Sequence, residues 1–319
     1  MCTSVAMNIG DFYFGRNMDL EGSFGECVVM APRHFPFPFR KMPEENCHYA
    51  MIGMAAVSSG YPLFADAMNE KGLCMAGLNF PGNAAYQQEE DKTQYGVTPF
   101  ELIPWVLGTC ATVGQAERLL SKTRLIAIPF SESVPLTPLH WHLADRERSI
   151  VIEPMADGLR LYENPTGALT NNPPFPYHLA NLARYAHLNV STPCGEWTAD
   201  EGAVSMGMGG VGLPGDYSSA SRFVKVSFLK KHALSFGTEE EAIDTVFRIL
   251  SAVAPPKGSV IGPNGLAHYT TYTGCMDTAK RFYYCQRQGA LGTKRFEMCH
   301  EELEGDKLIY KNGSVTAYG

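Results

Sequence analysis

Cys2 is the residue in this chain best equipped for covalent chemistry. It follows the initiator, and a small side chain there permits removal of Met1, leaving the cysteine as the mature N-terminus. One residue then carries both a nucleophilic sulfur and a free α-amine. Such an amine has a reference pKa of about 7.7–8.0, so it takes up a proton near neutrality without needing a histidine. A thiolate formed beside a cation can attack an amide carbonyl and leave an acyl-enzyme. Because Met-Cys beginnings also arise by chance, the neighbouring residues decide.

The segment Phe14-Gly15-Arg16-Asn17-Met18-Asp19 supplies those neighbours. Thr3–Asn8 and Phe12–Arg16 read as strands flanking Ile9-Gly10-Asp11, and a hairpin turning near Gly10 returns Arg16 to the side of Cys2. A guanidinium there would lower the thiol pKa, and the Asp19 carboxylate suits an N-terminal ammonium. On spacing alone, Arg16 and Asp19 fit an ordinary surface ion pair as well.

Two other motifs carry less. Gly207-Met208-Gly209-Gly210-Val211-Gly212 matches the dinucleotide fingerprint in form, but turn residues Leu213-Pro214-Gly215-Asp216 follow where a helix should begin. It reads as a flexible loop. His140 and His142, two apart on an expected strand, share a face, yet no third ligand follows at a recognisable spacing, so they read as structural and no metal is expected.

The elements that must position these groups follow from composition and pattern. In 319 residues, 45% are hydrophobic and 18% charged, which indicates a globular chain rather than a disordered one. The net charge of −7, with no Lys/Arg cluster longer than a pair, disfavours nucleic acid or an anionic membrane as partner. No basic residue precedes Arg16 and no long apolar run occurs, so neither a secretory leader nor a membrane span is expected, and the location is read as cytoplasmic. Eight of the nine cysteines read as reduced, buried small apolar residues.

Strands are expected at Glu26–Ala31, Met51–Val57, Leu73–Leu78, Leu139–Ala144, Ser149–Pro154, Leu159–Tyr162, His268–Thr273, Arg281–Cys285 and Lys307–Tyr310. Helices are expected from Thr98-Pro99-Phe100-Glu101 onward, and at Thr112–Ser121, Tyr177–His187, Ser221–Leu234 and Glu239–Val253. Pro32–Pro43 and Asn83–Thr98 read as loops. Strands and helices come in blocks rather than in strict alternation, which favours an α+β fold in a single domain over residues 2–319.

Met1-Cys2-Thr3 followed by Phe14–Asp19 resembles the choloylglycine hydrolases, the group of N-terminal-nucleophile hydrolases that includes bile salt hydrolases and penicillin V acylases. Four further segments agree in family order: Ala76–Gly82, Leu139-His140-Trp141, Leu169-Thr170-Asn171-Asn172-Pro173, and Gly212–Asp216 leading to Ser221-Arg222-Phe223. The resemblance implies a four-layer αββα sandwich with Cys2 as nucleophile and its own amine as base. Arg16 would sit against the thiol, Asp19 would hold the amine, Asn79 and Asn171 would supply the oxyanion hole, and Arg222 would complete the polar network. Relatives that favour penicillin V tend to carry Tyr where this chain has Asn79, which points to bile salts.

By the same resemblance Met18, Ala65, Phe130, Val134 and Thr137 would line an apolar substrate pocket, a composition suited to a rigid sterol body; plain core packing is their other reading. The implied activity is hydrolysis of glycine- or taurine-conjugated bile acids, without a cofactor, in a homo-oligomer, a tetramer by family habit. Penicillin V or another acyl amide as substrate, transfer of the acyl group to an amine, and a degenerate sterol-binding protein are the alternatives.

Overall fold

The computed structural model describes residues 1–89, 91, 93–192, 205–234, 237–311 and 314–316. The chain opens with strands β1 (Cys2–Ile9), β2 (Asp11–Leu20), β3 (Glu26–Ala31), β4 (Met51–Ser58), β5 (Tyr61–Asn69), β6 (Cys74–Asn79) and β7 (Tyr95–Val97). Helices α1 (Leu102–Thr109) and α2 (Val113–Leu120) precede β8 (Thr123–Leu125), β9 (Leu139–Ala144), β10 (Ser149–Met155), β11 (Gly158–Glu163) and β12 (Ala168–Leu169). Then come α3 (Phe175–Leu182), α4 (Ser219–His232) and α5 (Glu239–Ser251). The last strands are β13 (Tyr269–Asp277), β14 (Phe282–Arg287), β15 (Thr293–Glu297), β16 (Ile309–Tyr310) and β17 (Ser314–Thr316).

Two antiparallel sheets face each other, with strand orders β12-β1-β2-β13-β14-β15-β17 and β11-β10-β9-β6-β5-β4-β3-β16. Helices α4 and α5 pack on the outer face of the first sheet, with α3 against α4, and α1 packs on β4, β5 and β6 of the second, with α2 beside it. The result is a four-layer αββα sandwich, as the resemblance implies. One apolar core joins Phe14, Ile52 and Met68 between the sheets to Val226, Val246 and Leu250 of the helices; another sets Met51, Trp141 and Leu143 against α1.

Period-two alternation in β1 and β2 separates two kinds of side chain. Ser4, Phe14 and Arg16 turn toward the second sheet, where they meet His142 and Ala65. Thr3 and Asn17 turn outward to α4 and α5. The hairpin turns at Gly10, whose φ of +70° lies in the left-handed region that favours glycine. Close approach fixes a second glycine: a Cβ on Gly53 would lie 2.1 Å from the Asp66 carbonyl oxygen and 2.6 Å from Ala67. Because the obstacle is backbone of the neighbouring strand, Gly53→Ala is expected to cost about 2–3 kcal/mol, read as a lower urea midpoint at unchanged slope.

Some elements differ from those expected. Tyr61–Asn69 is a central strand, and β7, β8, β12, β15 and β17 also went unread. The expected helix from Thr98 begins at Leu102; Thr98–Glu101 form a turn, with the Glu101 N–H donating to the Thr98 carbonyl and the Glu101 carboxylate accepting the N–H groups of Thr98 and Arg40. Tyr177–His187 is helical from Phe175 to Leu182 and then tightens into a 3-10 turn. Of the eight cysteines read as buried, Cys74, Cys110, Cys275 and Cys285 are; Cys27 and Cys299 are half-buried, Cys47 is exposed beside the proline-rich loop, and Cys194 lies outside the described residues. The glycine-rich segment 207–212 forms a short 3-10 turn at Met208–Gly210.

Candidate active site

Cys2 begins β1 directly opposite Met18 of β2. The flanking Met1–Asp19 pair is hydrogen-bonded on both sides: the Met1 amine donates to the Asp19 carbonyl (2.8 Å), and the Asp19 N–H donates to the Met1 carbonyl (3.0 Å). Cys2 and Met18 are therefore a non-hydrogen-bonded pair, the kind whose side chains lie closest. Their sulfurs are 3.7 Å apart, and the Cys2 residue is 3% exposed.

Arg16 lies two residues along β2 on the same face and is fully buried. Its Nη2 donates to the Met18 sulfur at 3.3 Å, while Nη1 donates to the Ala65 carbonyl (3.1 Å) and to Asp66 (3.4 Å). Met18 thus stands between the guanidinium and the thiol. Burial pulls the Arg16 pKa down, but Tyr272, Cys2 and Asp66 outweigh it, and the net shift is upward. Asp66 is completed by two phenols, Tyr272 and Tyr283, each donating at 2.7 Å, whereas the buried Arg16 Nε has no partner among the described residues.

On the other face, Arg222 in the first turn of α4 donates from Nη1 to the Cys2 carbonyl and to Thr3 Oγ1, both at 2.5 Å, and from Nη2 to Asn171 Oδ1 at 2.7 Å. Burial lowers its pKa, while Asp19 and Cys2 oppose that fall. Asn171 is the hub of the site. Its Oδ1 also accepts the Cys2 N–H (2.9 Å), and its Nδ2 donates to the Asn79 carbonyl (2.7 Å). Docking of the 168–172 segment on α4 sets this position, through Ser219 Oγ accepting the Asn171 N–H at 2.8 Å. Asn172 points elsewhere, to the Pro81 carbonyl (2.5 Å).

Asp19 is fully buried; its Oδ1 accepts from Thr270 (2.6 Å), and its Oδ2 has no partner among the described residues. Burial raises its pKa, with Arg222 and the Thr270 hydrogen bond pulling the other way. The structure therefore brings Cys2, Arg16, Asp19, Asn79, Asn171 and Arg222 around one terminus. An amide carbonyl seated there would meet a sulfur nucleophile and the Asn171 carboxamide, to which Asn79 is joined through its backbone carbonyl.

Residues 2–311 match the family model described as linear amide C-N hydrolases, choloylglycine hydrolase family. The chain belongs to that family. The bile salt hydrolase/transferase of Lactiplantibacillus plantarum is 45% identical over 97% of this chain and 96% of its own length. The protein of the same description from Clostridium perfringens is 35% identical, covering 97% and 95%. Among solved structures, a mutant of the conjugated bile acid hydrolase from Clostridium perfringens superposes with a TM-score of 0.90 at 33% identity over the whole of both chains. Penicillin V acylase from Agrobacterium tumefaciens shares the fold, with a TM-score of 0.76 at 22% identity over 96% and 90% of the two chains.

The family's expected pocket residues divide into two groups. Met18 meets the thiol directly, and the Ala65 carbonyl connects to it through Arg16 and Met18. Phe130 packs with Tyr61 and Phe100 under the Arg40 guanidinium, Val134 closes a turn with Ser131, and the Thr137 carbonyl takes the Tyr86 hydroxyl. All three lie on the irregular segment before β9, and none makes a described contact with Cys2.

Asp66, Tyr272, Tyr283 and Thr270 are site neighbours that the sequence did not reveal. Alternation along β13 would have exposed Tyr272, but Asp66 sits in the unread strand β5 and left no signal. His140 and His142 do share a face, and His142 is held between the hydroxyls of Ser4 (2.8 Å) and Ser149 (2.7 Å). Burial, then Lys230 and His140, push the His142 pKa down to about 3, so this ring is neutral throughout the working range.

Proposed function

We propose that residues 2–319, with Met1 removed, act as a single domain that hydrolyses the amide bond of glycine- or taurine-conjugated bile acids through a Cys2 acyl-enzyme. The observation that carries the reading is the junction at Asn171, which ties the Cys2 nitrogen, Arg222 and the Asn79 end of β6 to one carboxamide. Full-length relatives described as bile salt hydrolases support the substrate class.

Excision turns the Cys2 peptide nitrogen into a primary amine. That amine takes the thiol proton as sulfur attacks the acyl carbonyl, and Arg16 favours the thiolate from across Met18. The negative oxygen of the tetrahedral intermediate receives the second N–H of Asn171 Nδ2 and a donor from Asn79. Asp19 Oδ2, which accepts from no described residue while Met1 is in place, is the acceptor for the ammonium. The ammonium then protonates the leaving nitrogen, glycine or taurine departs, and the thioester remains. A water deprotonated by the amine attacks that thioester and releases the free bile acid with the thiol restored. Met18, Ala65, Phe130, Val134 and Thr137 line the path of the sterol body in this reading.

Glycocholate and taurocholate are expected to release amine, measured at pH 5–7 beside penicillin V. Absence of release across that range would sink the substrate assignment. A second reading is favoured by the relatives' double description as hydrolase/transferase: an amino acid in excess would replace water and give a new conjugate, detected by product mass. A homotetramer in the cytoplasm completes the proposal, and light scattering at working concentration tests its assembly. No described helix is long and apolar enough to cross a membrane.

A further inference from the structure

Three buried titratable side chains that the proposed reaction does not use lie directly behind Asn171. His140 Nε2 donates to the Thr170 carbonyl at 2.9 Å, and His178 Nε2 donates to the Asn171 carbonyl at 2.9 Å. A carbonyl can only accept, so each Nε2 carries a proton; the His140 Nδ1, which faces a carboxylate oxygen of Glu153, must carry one as well for that contact to hold the ring. These two carbonyls belong to the peptide planes on either side of the Asn171 Cα, and one imidazole grips each plane.

The grip closes on itself. His140 Nδ1 faces Glu153 Oε1 at 3.3 Å, and that same oxygen accepts the Phe175 N–H at 2.9 Å. Phe175 begins α3, the helix that carries His178. On its flat side the His140 ring stacks on Phe80, with centroids 4.3 Å apart and planes 5° from parallel, and Phe80 directly follows Asn79. His140, Glu153, His178 and Phe80 all have 0% exposure. Burying such polar groups is costly, and an apolar cluster would support a loop more cheaply. The arrangement does what an apolar cluster could not: it fixes the rotation of two peptide planes.

We propose that His140, held by Glu153 and seconded by His178, is the positioning residue that keeps Asn171 and the Asn79 end of β6 in register as an oxyanion site. The proposal rests on the roles given above to Asn79 and Asn171. It is independent of which acyl amide is cleaved.

Two reagents separate the effects. Acylation of Cys2 by p-nitrophenyl acetate passes through an oxyanion; alkylation by iodoacetamide does not. In His140→Leu, acylation is expected to fall about 100-fold while alkylation stays within about twofold, the signature of displaced donors beside an intact nucleophile. His140→Gln, which keeps an amide N–H near the Nε2 position, should recover most of the loss. Equal losses in both reactions, no loss in either, or a parent that alkylates but is never acylated would each overturn the proposal. Should His140→Leu fail to fold, Glu153→Gln is expected to give the same split at smaller amplitude, and parent-like rates there would count against the role. Amine release from glycocholate by the parent reads the substrate separately: its failure with acylation intact removes the substrate and leaves the positioning role standing.

Discussion

Cys2→Ala is expected to reduce amine release from glycocholate by at least about 10⁴-fold, because no other described group near the carbonyl site can form the covalent intermediate. The fold should survive. The side chain is small, its sulfur touches only the Met18 sulfur among the polar groups of the described residues, and the backbone links from Cys2 to Asn171 and Arg222 do not involve the thiol. Substrate binding by the variant, measured by calorimetry, should therefore persist while turnover is lost. Turnover near the parental rate would exclude the sulfur from the chemistry and revive a non-covalent or binding-only reading.

A preparation that keeps Met1 should be equally silent. With Met1 present the Cys2 nitrogen is a peptide N–H with no basic lone pair, and it already donates to Asn171. Loss of a general base typically costs about 10²–10⁴-fold, and here the same group also serves as the acid for the leaving amine. The retained residue extends the β1–β2 ladder by one pair against Asp19. Producing the protein with methionine aminopeptidase inhibited, confirming Met1 by intact mass and assaying before and after aminopeptidase digestion tests this directly. Activity should appear with the loss of one methionine mass. Full activity in a Met1-bearing sample would remove the proposed base.

Much of this site could be read without coordinates because its parts are local. Gly10 marks the turn, and once the turn is known, period-two pairing puts Arg16 on the Cys2 face and sends Asp19 to the other. His140 and His142 share a face for the same reason. What escaped depends on distant packing. Tyr61–Asn69 carries Pro62 and Asp66 in a strand covered on both sides, so it shows neither alternation nor an unbroken apolar run, and with it went the anchor of Arg16. The choice between adjacent Asn171 and Asn172 is equally invisible to periodicity. It turns on how the 168–172 segment docks against Ser219, 48 residues later. Phe130, Val134 and Thr137 sit on irregular backbone, where no repeat dictates which way a side chain faces.

Ile309–Tyr310 runs beside β3 at the rim of one sheet, and Ser314–Thr316 beside β15 at the rim of the other. The tail is therefore a clasp: one short stretch seals two open margins whose unpaired backbone would otherwise invite strand addition from a second molecule. Shortening the chain to residue 307 would undo both seals at once. The damage should surface as clumping during expression or storage, while the distant N-terminal pocket keeps its specific activity in whatever fraction stays dispersed.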